Sequence, residues 1–408
     1  TTPGDTWDYT ATQHMILADL EIGGEVRKVI MQAPKNGFFY VLDRVTGEFI
    51  SAEKYVPITW ASHVDPESGR PVETDAARYQ LANPLSQMTP EEQVKALSTM
   101  TAQELESAFH KPSPFGGHNW HPMSYSPDTG LVYIPALDIP YAFGNEPEFD
   151  YENGRWNLAV DWRLNMPTGN ESVDSTIDDM IRGFVSAWDP VAQMEVWRIQ
   201  HAGSWNGGIL STHGNLIFQG NSSGRFVAYR ADSGEELWSV PAQTGIIAPP
   251  VTYEIDGEQY ITVVAGWGGA FALAAAAAEL YGLKPRGRIL TYKLGGDLEL
   301  PPVTEKPVPV PEPPPVEGTD EQIAHGKFIY HKYCGVCHGP GVRAGGLVPD
   351  LRYMLPGKHI VFEDVVLGGI LQEEGMVSFA GSLNKEDAKA VHQYIISEAH
   401  RLKAKEVE

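Results

Sequence analysis

Cysteine is almost missing: the 408 residues contain two, Cys334 and Cys337, three positions apart. So small a number excludes a disulfide framework and a four-cysteine metal cage. Long apolar runs are missing too, since no stretch of about 18 apolar residues occurs, the length a membrane-spanning helix needs. Thr1 to Thr10 is polar and lacks the basic, apolar and cleavage-site succession of a secretory leader. Positive charge is scarce: 30 Lys and Arg stand against 53 Asp and Glu, a formal charge of −23. Residues 301–408 carry 11 basic and 15 acidic side chains, a share of −4, which leaves −19 for residues 1–300. An acidic body of this kind is a poor partner for nucleic acid or anionic lipid and suits small neutral substrates or basic partners. Helical period is the last thing in short supply, for the first 300 residues show almost none.

What is present begins with Cys334-Gly335-Val336-Cys337-His338. Two thiols at this spacing, with histidine directly after the second, form the attachment signature of a c-type haem. Each thiol adds across one vinyl group of the macrocycle, and His338 then lies beneath the iron as proximal ligand. The rivals are a Cys-x-x-Cys redox pair and half of a zinc site. His325 and His331 stand close by, but with no second cysteine pair the zinc reading fits poorly. Haem attachment of this kind takes place outside the bacterial cytoplasm. A periplasmic location is therefore expected, with a leader that has been removed or lies outside this sequence.

Upstream, one pattern recurs: strand, Asp near a turn, a small residue or Gly, then a strand ending on an aromatic. Phe38–Arg44 runs so into Val45–Ile50, Phe184–Pro190 into Met194–Trp197, and Phe226–Asp232 into Leu237-Trp238. Further hairpins turn at Asp128-Thr129-Gly130, Ser223-Gly224 and Asp256-Gly257. A repeated hairpin closed by tryptophan marks a β-propeller, and there is material for about four or five blades at roughly four strands each. Ser86–His110 reads as a helical insertion, with starts at Thr89-Pro90-Glu91-Glu92 and Thr101-Ala102-Gln103-Glu104, and the alanine-rich Ala272–Tyr281 as a short helix. Eight prolines among residues 301–315 forbid regular ladders and predict an extended strap. The expected division is therefore 1–297 propeller, 298–318 linker and 319–408 an all-α haem domain.

In that last part Thr319 and Asn384 are N-caps, and Ala388, Val391, Ile395 and Ala399 form one apolar stripe. Gly326 and Tyr330, eight and four positions before Cys334, resemble the helix crossing of class I cytochromes c, with Tyr394 as the partner. The distal iron ligand must come from after the motif. Met354 and Met376 are the candidates, and Met376, after Gly375 in a loop before the last helix, is preferred; Met354 lies in an apolar run that reads as packing.

The upstream part resembles the quinohaemoprotein alcohol dehydrogenases, periplasmic enzymes with pyrroloquinoline quinone (PQQ) and Ca²⁺ in an eight-bladed propeller fused to a cytochrome c. Five blocks in order carry the resemblance: Thr2–Tyr9, Ala33–Phe39, Gly117–Pro122, Ser204–Gly208 and Gly266–Gly269. The family's earlier blades, with their adjacent-cysteine disulfide, stacking tryptophan and Glu and Asn ligands of Ca²⁺, have no counterpart here. The resemblance thus implies a partial eight-bladed propeller followed by a class I cytochrome c domain, and a polypeptide not expected to hold the quinone properly by itself. It also implies that Asp8 is the catalytic base and touches Ca²⁺, that Lys35 points at the quinone oxygens, and that Asn119, Trp120, Asn206 and Gly269 contact the cofactor. Lys35 has a plain alternative as a solvated residue before an Asn-Gly turn. His118 and His121 carry no assignment. The implied activity is oxidation of an alcohol, with electrons passing through the haem to an external small redox protein or membrane quinone system. The alternative is an electron-transfer cytochrome whose propeller is only a docking scaffold.

Overall fold

The strand-turn-strand runs pair as antiparallel meanders. In the computed structural model of the chain, residues 1–75, 77–78, 88, 90–101, 104–105, 109–145, 149–151, 157–160, 165, 171–268, 283, 285–304 and 308–405 are described. They fall into two compact units. One comprises Thr1–Asn145, Arg163–Trp267 and Arg286–Leu300; the other comprises Glu146–Trp162, Gly268–Pro285 and Pro301–Glu408.

In the first unit, β1 (Ile16–Ile22), β2 (Glu25–Gln32), β3 (Phe38–Asp43) and β4 (Phe49–Lys54) form one sheet in sequence order. β5 (Ala61–Val64) and β6 (Pro71–Glu73) make a small hairpin. β7 (Ser124–Ser126), β8 (Leu131–Asp138), β9 (Arg182–Asp189) and β10 (Met194–His201) form the second sheet. β11 (Ile209–Thr212), β12 (Leu216–Gly220), β13 (Arg225–Arg230) and β14 (Glu236–Pro241) form the third, and β15 (Val251–Ile255), β16 (Glu258–Ala265) and β17 (Arg288–Lys293) the fourth.

Strand parity decides how these sheets stack. Successive side chains point to opposite faces, and β8 is buried at every position. Its Val132 and Ile134 join Val29, Met31, Phe39 and Val41 of the first sheet. Its Leu131 and Tyr133 join Ile209, Ile217, Val227 and Tyr229 of the third. The third sheet repeats the device, packing Phe218, Phe226 and Ala228 against Val263, Ala265 and Leu290 of the fourth. Face-to-face meanders of this kind are propeller blades.

The recurrent Asp has a local task. Asp43 Oδ1 accepts from the backbone N–H groups of Val45 and Thr46, and Asp189 Oδ1 from those of Val191 and Ala192, so each closes its hairpin. The closing tryptophan acts between blades. Gly234 adopts φ +73°, and a Cβ there would lie 2.8 Å from the ring of Trp197 in the neighbouring sheet.

Two helices depart from the strand pattern. Pro90–Thr99 is the anticipated insertion. Glu171–Met180 was not anticipated, although Val173, Ile177 and Met180 make an apolar stripe at helical spacing. Val173 packs in one cluster with Leu97, Leu105, Phe109 and Ala142. The expected alanine-rich helix over Ala272–Tyr281 lies outside the described residues.

In the second unit Thr319 caps the helix Asp320–Ile329 with a full capping box, and Asn384 Oδ1 accepts from Asp387 N before the helix Lys385–Lys405. The two helices cross where Gly326 has no side chain: a Cβ would sit 2.0 Å from the carbonyl oxygen of Ala390. Tyr330 and Tyr394 meet one turn further on, ring centroids 5.5 Å apart. The proline-rich segment is partly docked rather than free. Val310 and Pro313 are buried, Gln393 Oε1 accepts from Glu317 N and Gly318 N, and His400 Nε2 donates to Pro314 O.

Gly326→Ala is expected to destabilise this unit by about 3 kcal/mol, because a methyl group must displace helix backbone. Urea unfolding followed by haem absorbance, compared with propeller tryptophan fluorescence, checks that the loss is confined to the second unit.

Candidate functional site

Asp8 stands between two residues that face the interior. Trp7 and Tyr9 are 1% and 2% exposed, their rings 5.5 Å apart, and both pack on Trp60. Trp7 Nε1 donates to Ala77 O, and Tyr9 Oη donates to Pro112 O. Held at both neighbours, Asp8 takes φ +64° and turns its carboxylate outward, 64% exposed. A positive φ on a non-glycine residue is strained and tends to mark a functional position.

Lys35 answers it from the start of the first blade's inner hairpin. The residue is 8% exposed, and its Nζ donates to Asp8 O at 3.0 Å and to Asp8 Oδ2 at 3.1 Å. Burying an ammonium is costly unless it is paired and hydrogen-bonded, so the solvated-lysine alternative does not hold. Two of its three donors are used, and the third has no acceptor among the described residues.

The Gly116–His121 segment passes directly over Lys35. Gly117 N donates to Lys35 O at 3.0 Å, and a Cβ on Gly116 (φ +82°) would lie 2.5 Å from Lys35 Cβ. Gly117 has no more room, its Cβ falling 2.5 Å from Val56. Asn119 uses its amide within the loop, Nδ2 donating to Phe115 O and Oδ1 accepting from Trp120 N. Each end keeps one further hydrogen-bonding position. Trp120 is 46% exposed and stacks on His121 at 4.2 Å.

Asn206 is buried in a neighbouring loop, donating to Gly203 O and accepting from Ser222 N and Oγ. The ring of Trp205 beside it touches His121 and Phe115. Gly269 lies outside the described residues. Asp8, Lys35 and the Trp120 loop are thus brought together, with Asn206 set back. Sequence reasoning missed the anchors Tyr9 and Trp60 and the ion pair of Lys111 with Asp138, whose side chains are 5% and 9% exposed. The partners lie far apart in the chain, and no local pattern announces them.

In the second unit, a π-helical turn over Tyr330–Cys334 leads into the short helix Gly335–His338. Cys334 is buried, its thiol pushed up to about 12 first by desolvation and then by Cys337, which is exposed. His338 Nδ1 donates to Pro349 O at 2.9 Å. That bond fixes the tautomer and leaves Nε2 for a metal. Tyr330 Oη donates to the carbonyls of His338 and Gly339, holding the end of the motif. His331 and His325, the potential zinc ligands, are engaged elsewhere. His331 Nδ1 donates to Lys327 O while Nε2 accepts from Gly341 N, and His325 pairs with Asp387. Met354 and Met376 both pack on the apolar cluster of Cys334, Phe362, Phe379 and Tyr394.

Face-to-face antiparallel meanders, together with a helical unit carrying a haem-attachment turn, define a class of β-propeller proteins with a c-type cytochrome unit. Residues 1–155 and 182–261 match the glucose/ethanol/alcohol dehydrogenase β-propeller domain that takes its name from PQQ, and the chain belongs to that family. Residues 321–395 match the family of cytochrome c oxidase, cbb3-type, subunit III. The chain is 43% identical over 97% of its length to quinohemoprotein alcohol dehydrogenase ADH IIB of Pseudomonas putida, covering 53% of that protein. It is 39% identical over 99% of its length to the 1-butanol dehydrogenase (cytochrome c) of Thauera butanivorans, covering 54%. The solved structure of ADHIIG from Pseudomonas putida HK5 superposes with a TM-score of 0.86 at 42% identity, over 99% of this chain and 56% of that one. The chain thus spans about half the length of the curated relatives it matches.

Tyr9→Phe is expected to destabilise the first unit by about 1–3 kcal/mol, because the buried Pro112 carbonyl loses its donor. Denaturant unfolding followed by the fluorescence of Trp7 and Trp60, in the same cluster, reads it directly.

Proposed function

We propose that this chain contributes the base, a cofactor-binding lysine and the haem relay of a PQQ-dependent alcohol dehydrogenase. The observation that carries the reading is Lys35. It is a buried ammonium with an unused donor, beside an exposed carboxylate held at positive φ. A fixed cation of this kind suits a flat anionic quinone, and the two glycines over it let the Gly116–His121 loop close directly on the Lys35 backbone. Bound there, PQQ supplies the acceptor for a hydride from the alcohol carbon, and haem c supplies a one-electron path onward.

The chain's own groups have distinct tasks. Asp8 takes the hydroxyl proton as the carbon becomes a carbonyl. Lys35 offers its charge and third N–H where negative charge develops. Trp120 presents a flat exposed ring and Asn119 a spare amide N–H, and Asn206 lies buried in a neighbouring loop. Cys334 and Cys337 would tether the haem, and His338 Nε2 and Met376 would serve as ligands to its iron. An external acceptor, a small redox protein or a membrane quinone system in the periplasm, takes the electrons. The name of one relative, a 1-butanol dehydrogenase, favours a primary aliphatic alcohol as substrate.

Calcium is a different matter. The ion takes roughly six to eight oxygen ligands, and Asp8 supplies at most two. Among the described residues no three His, Cys, Asp or Glu side chains are grouped to hold a metal. These residues alone do not fit the ion, and Asp8 is proposed only as one member of a larger ligand set.

In the full-length protein supplied with PQQ and Ca²⁺, alcohol is expected to reduce the haem. Asp8→Asn should slow that step about a hundred-fold to ten-thousand-fold while the haem spectrum stays unchanged and cofactor binding largely intact. Wild-type turnover in that variant removes Asp8 from the mechanism, and a loaded full-length protein whose intact haem never responds to alcohol supports the docking-scaffold alternative. Met376→Ala should alter the haem spectrum and lower its midpoint potential, since thioether ligation raises it. If Met354→Ala does so instead, the distal ligand is Met354.

A further inference from the structure

His118 belongs to the Gly117–Pro122 block, yet the chemistry above gives it no task. It is 0% exposed. Its Nδ1 lies 2.9 Å from Ala33 O, and its Nε2 lies 2.5 Å from His121 O. The first carbonyl stands two residues before Lys35. The second belongs to the residue whose ring carries Trp120 at 4.2 Å. The imidazole therefore spans the two loops from which the cation and the flat ring of the site project. Its own carbonyl accepts from Gln13 Nε2, and the carbonyl of Gln13 accepts from Gln32 Nε2, so the bridge is anchored in turn to the end of β2.

An ordinary core histidine is satisfied by one donor bond and one acceptor bond. His118 faces two carbonyls, both acceptors. Burial pushes its pKa down to about 4, so at neutral pH one ring N–H serves two carbonyl groups. Beside it, the buried Nε2 of His121 and Oε1 of Gln13 have no hydrogen-bond partner among the described residues. Unmet buried polar atoms are few in native proteins and each asks for a reason; these two belong to the residues bonded to the ring and the carbonyl of His118.

Resting on the quinone-site reading above, we propose that His118 is a positioning residue of the cofactor site, fixing the Lys35 loop against the loop of Asn119 and Trp120. It touches neither substrate nor cofactor. Its effect is on where the lysine and the tryptophan stand.

The test uses the full-length protein with Ca²⁺, titrated with PQQ and monitored by tryptophan fluorescence, with the haem spectrum as a control on folding. His118→Phe keeps the ring and removes both nitrogens; it should weaken PQQ binding at least tenfold. His118→Gln, whose amide can still donate to the carbonyls, should recover most of that loss. In a Lys35→Met background, His118→Phe should weaken binding by clearly less than it does in the wild-type protein, because part of its effect is on the lysine. Wild-type affinity in His118→Phe overturns the inference, as do losses that multiply, since those mark an independent structural role. If His118→Phe does not fold, the cycle is run with His118→Gln, whose smaller loss must likewise shrink beside Lys35→Met. A wild-type protein that itself fails to bind PQQ overturns the quinone reading and this inference together, whereas a wild type that binds alongside indifferent His118 variants sinks the inference alone.

Discussion

A buried ammonium dictates the architecture around it. Lys35 is almost wholly removed from water, and a charge so placed must find acceptors or be neutralised. Asp8, at φ +64°, supplies both a backbone carbonyl and a carboxylate oxygen. That conformation is strained, and it persists because Trp7 and Tyr9 on either side are fixed in an aromatic cluster with Trp60. Above the lysine, Gly116 and Gly117 are required because any side chain would occupy the space of Lys35 or Val56. One electrostatic demand thus accounts for a strained aspartate, three aromatic anchors and a pair of glycines drawn from separate stretches of chain.

The haem unit answers a covalent demand instead. Two thiols and an imidazole must meet one macrocycle, and a single helical turn delivers all three. The neighbouring residues keep that turn in place: Tyr330 binds its last carbonyls, Pro349 orients the histidine, and Gly326 lets the two long helices approach. The linker's second half serves the same unit, with Gln393 bonding two of its backbone N–H groups.

How much of this the sequence discloses depends on the range of each interaction. Hairpins were legible because a turn declares itself within four residues, and Asp43 and Asp189 do their work at that range. The haem motif and Thr319 were legible for the same reason, whereas Gly326, whose contact is Ala390, was named from the resemblance to class I cytochromes c. The helix Glu171–Met180 was overlooked because its stripe of Val173, Ile177 and Met180 is short and sits in an acidic stretch. The docking of residues 308–318 was hidden because proline content reports backbone stiffness and says nothing of Gln393 or His400 far downstream. Asp8 and Lys35 could be named from family blocks, whereas their mutual bond, 27 residues apart, could not be read from either block alone.

The same distinction separates the two kinds of histidine in the chain. His338 is defined by its place directly after a cysteine pair, and its surroundings only confirm its orientation. His118 and His121 have no motif that states a role, and composition alone would assign them to the core. They are set apart by an accounting of hydrogen bonds: two carbonyls on one neutral ring, and an unmet nitrogen beside it. A core built for stability alone would replace such groups with apolar residues of similar volume, since unsatisfied polar atoms in a low-dielectric interior are penalised and hydrocarbon is not. Their retention beneath the very loops that carry Lys35 and Trp120 is best explained by the geometry they impose there.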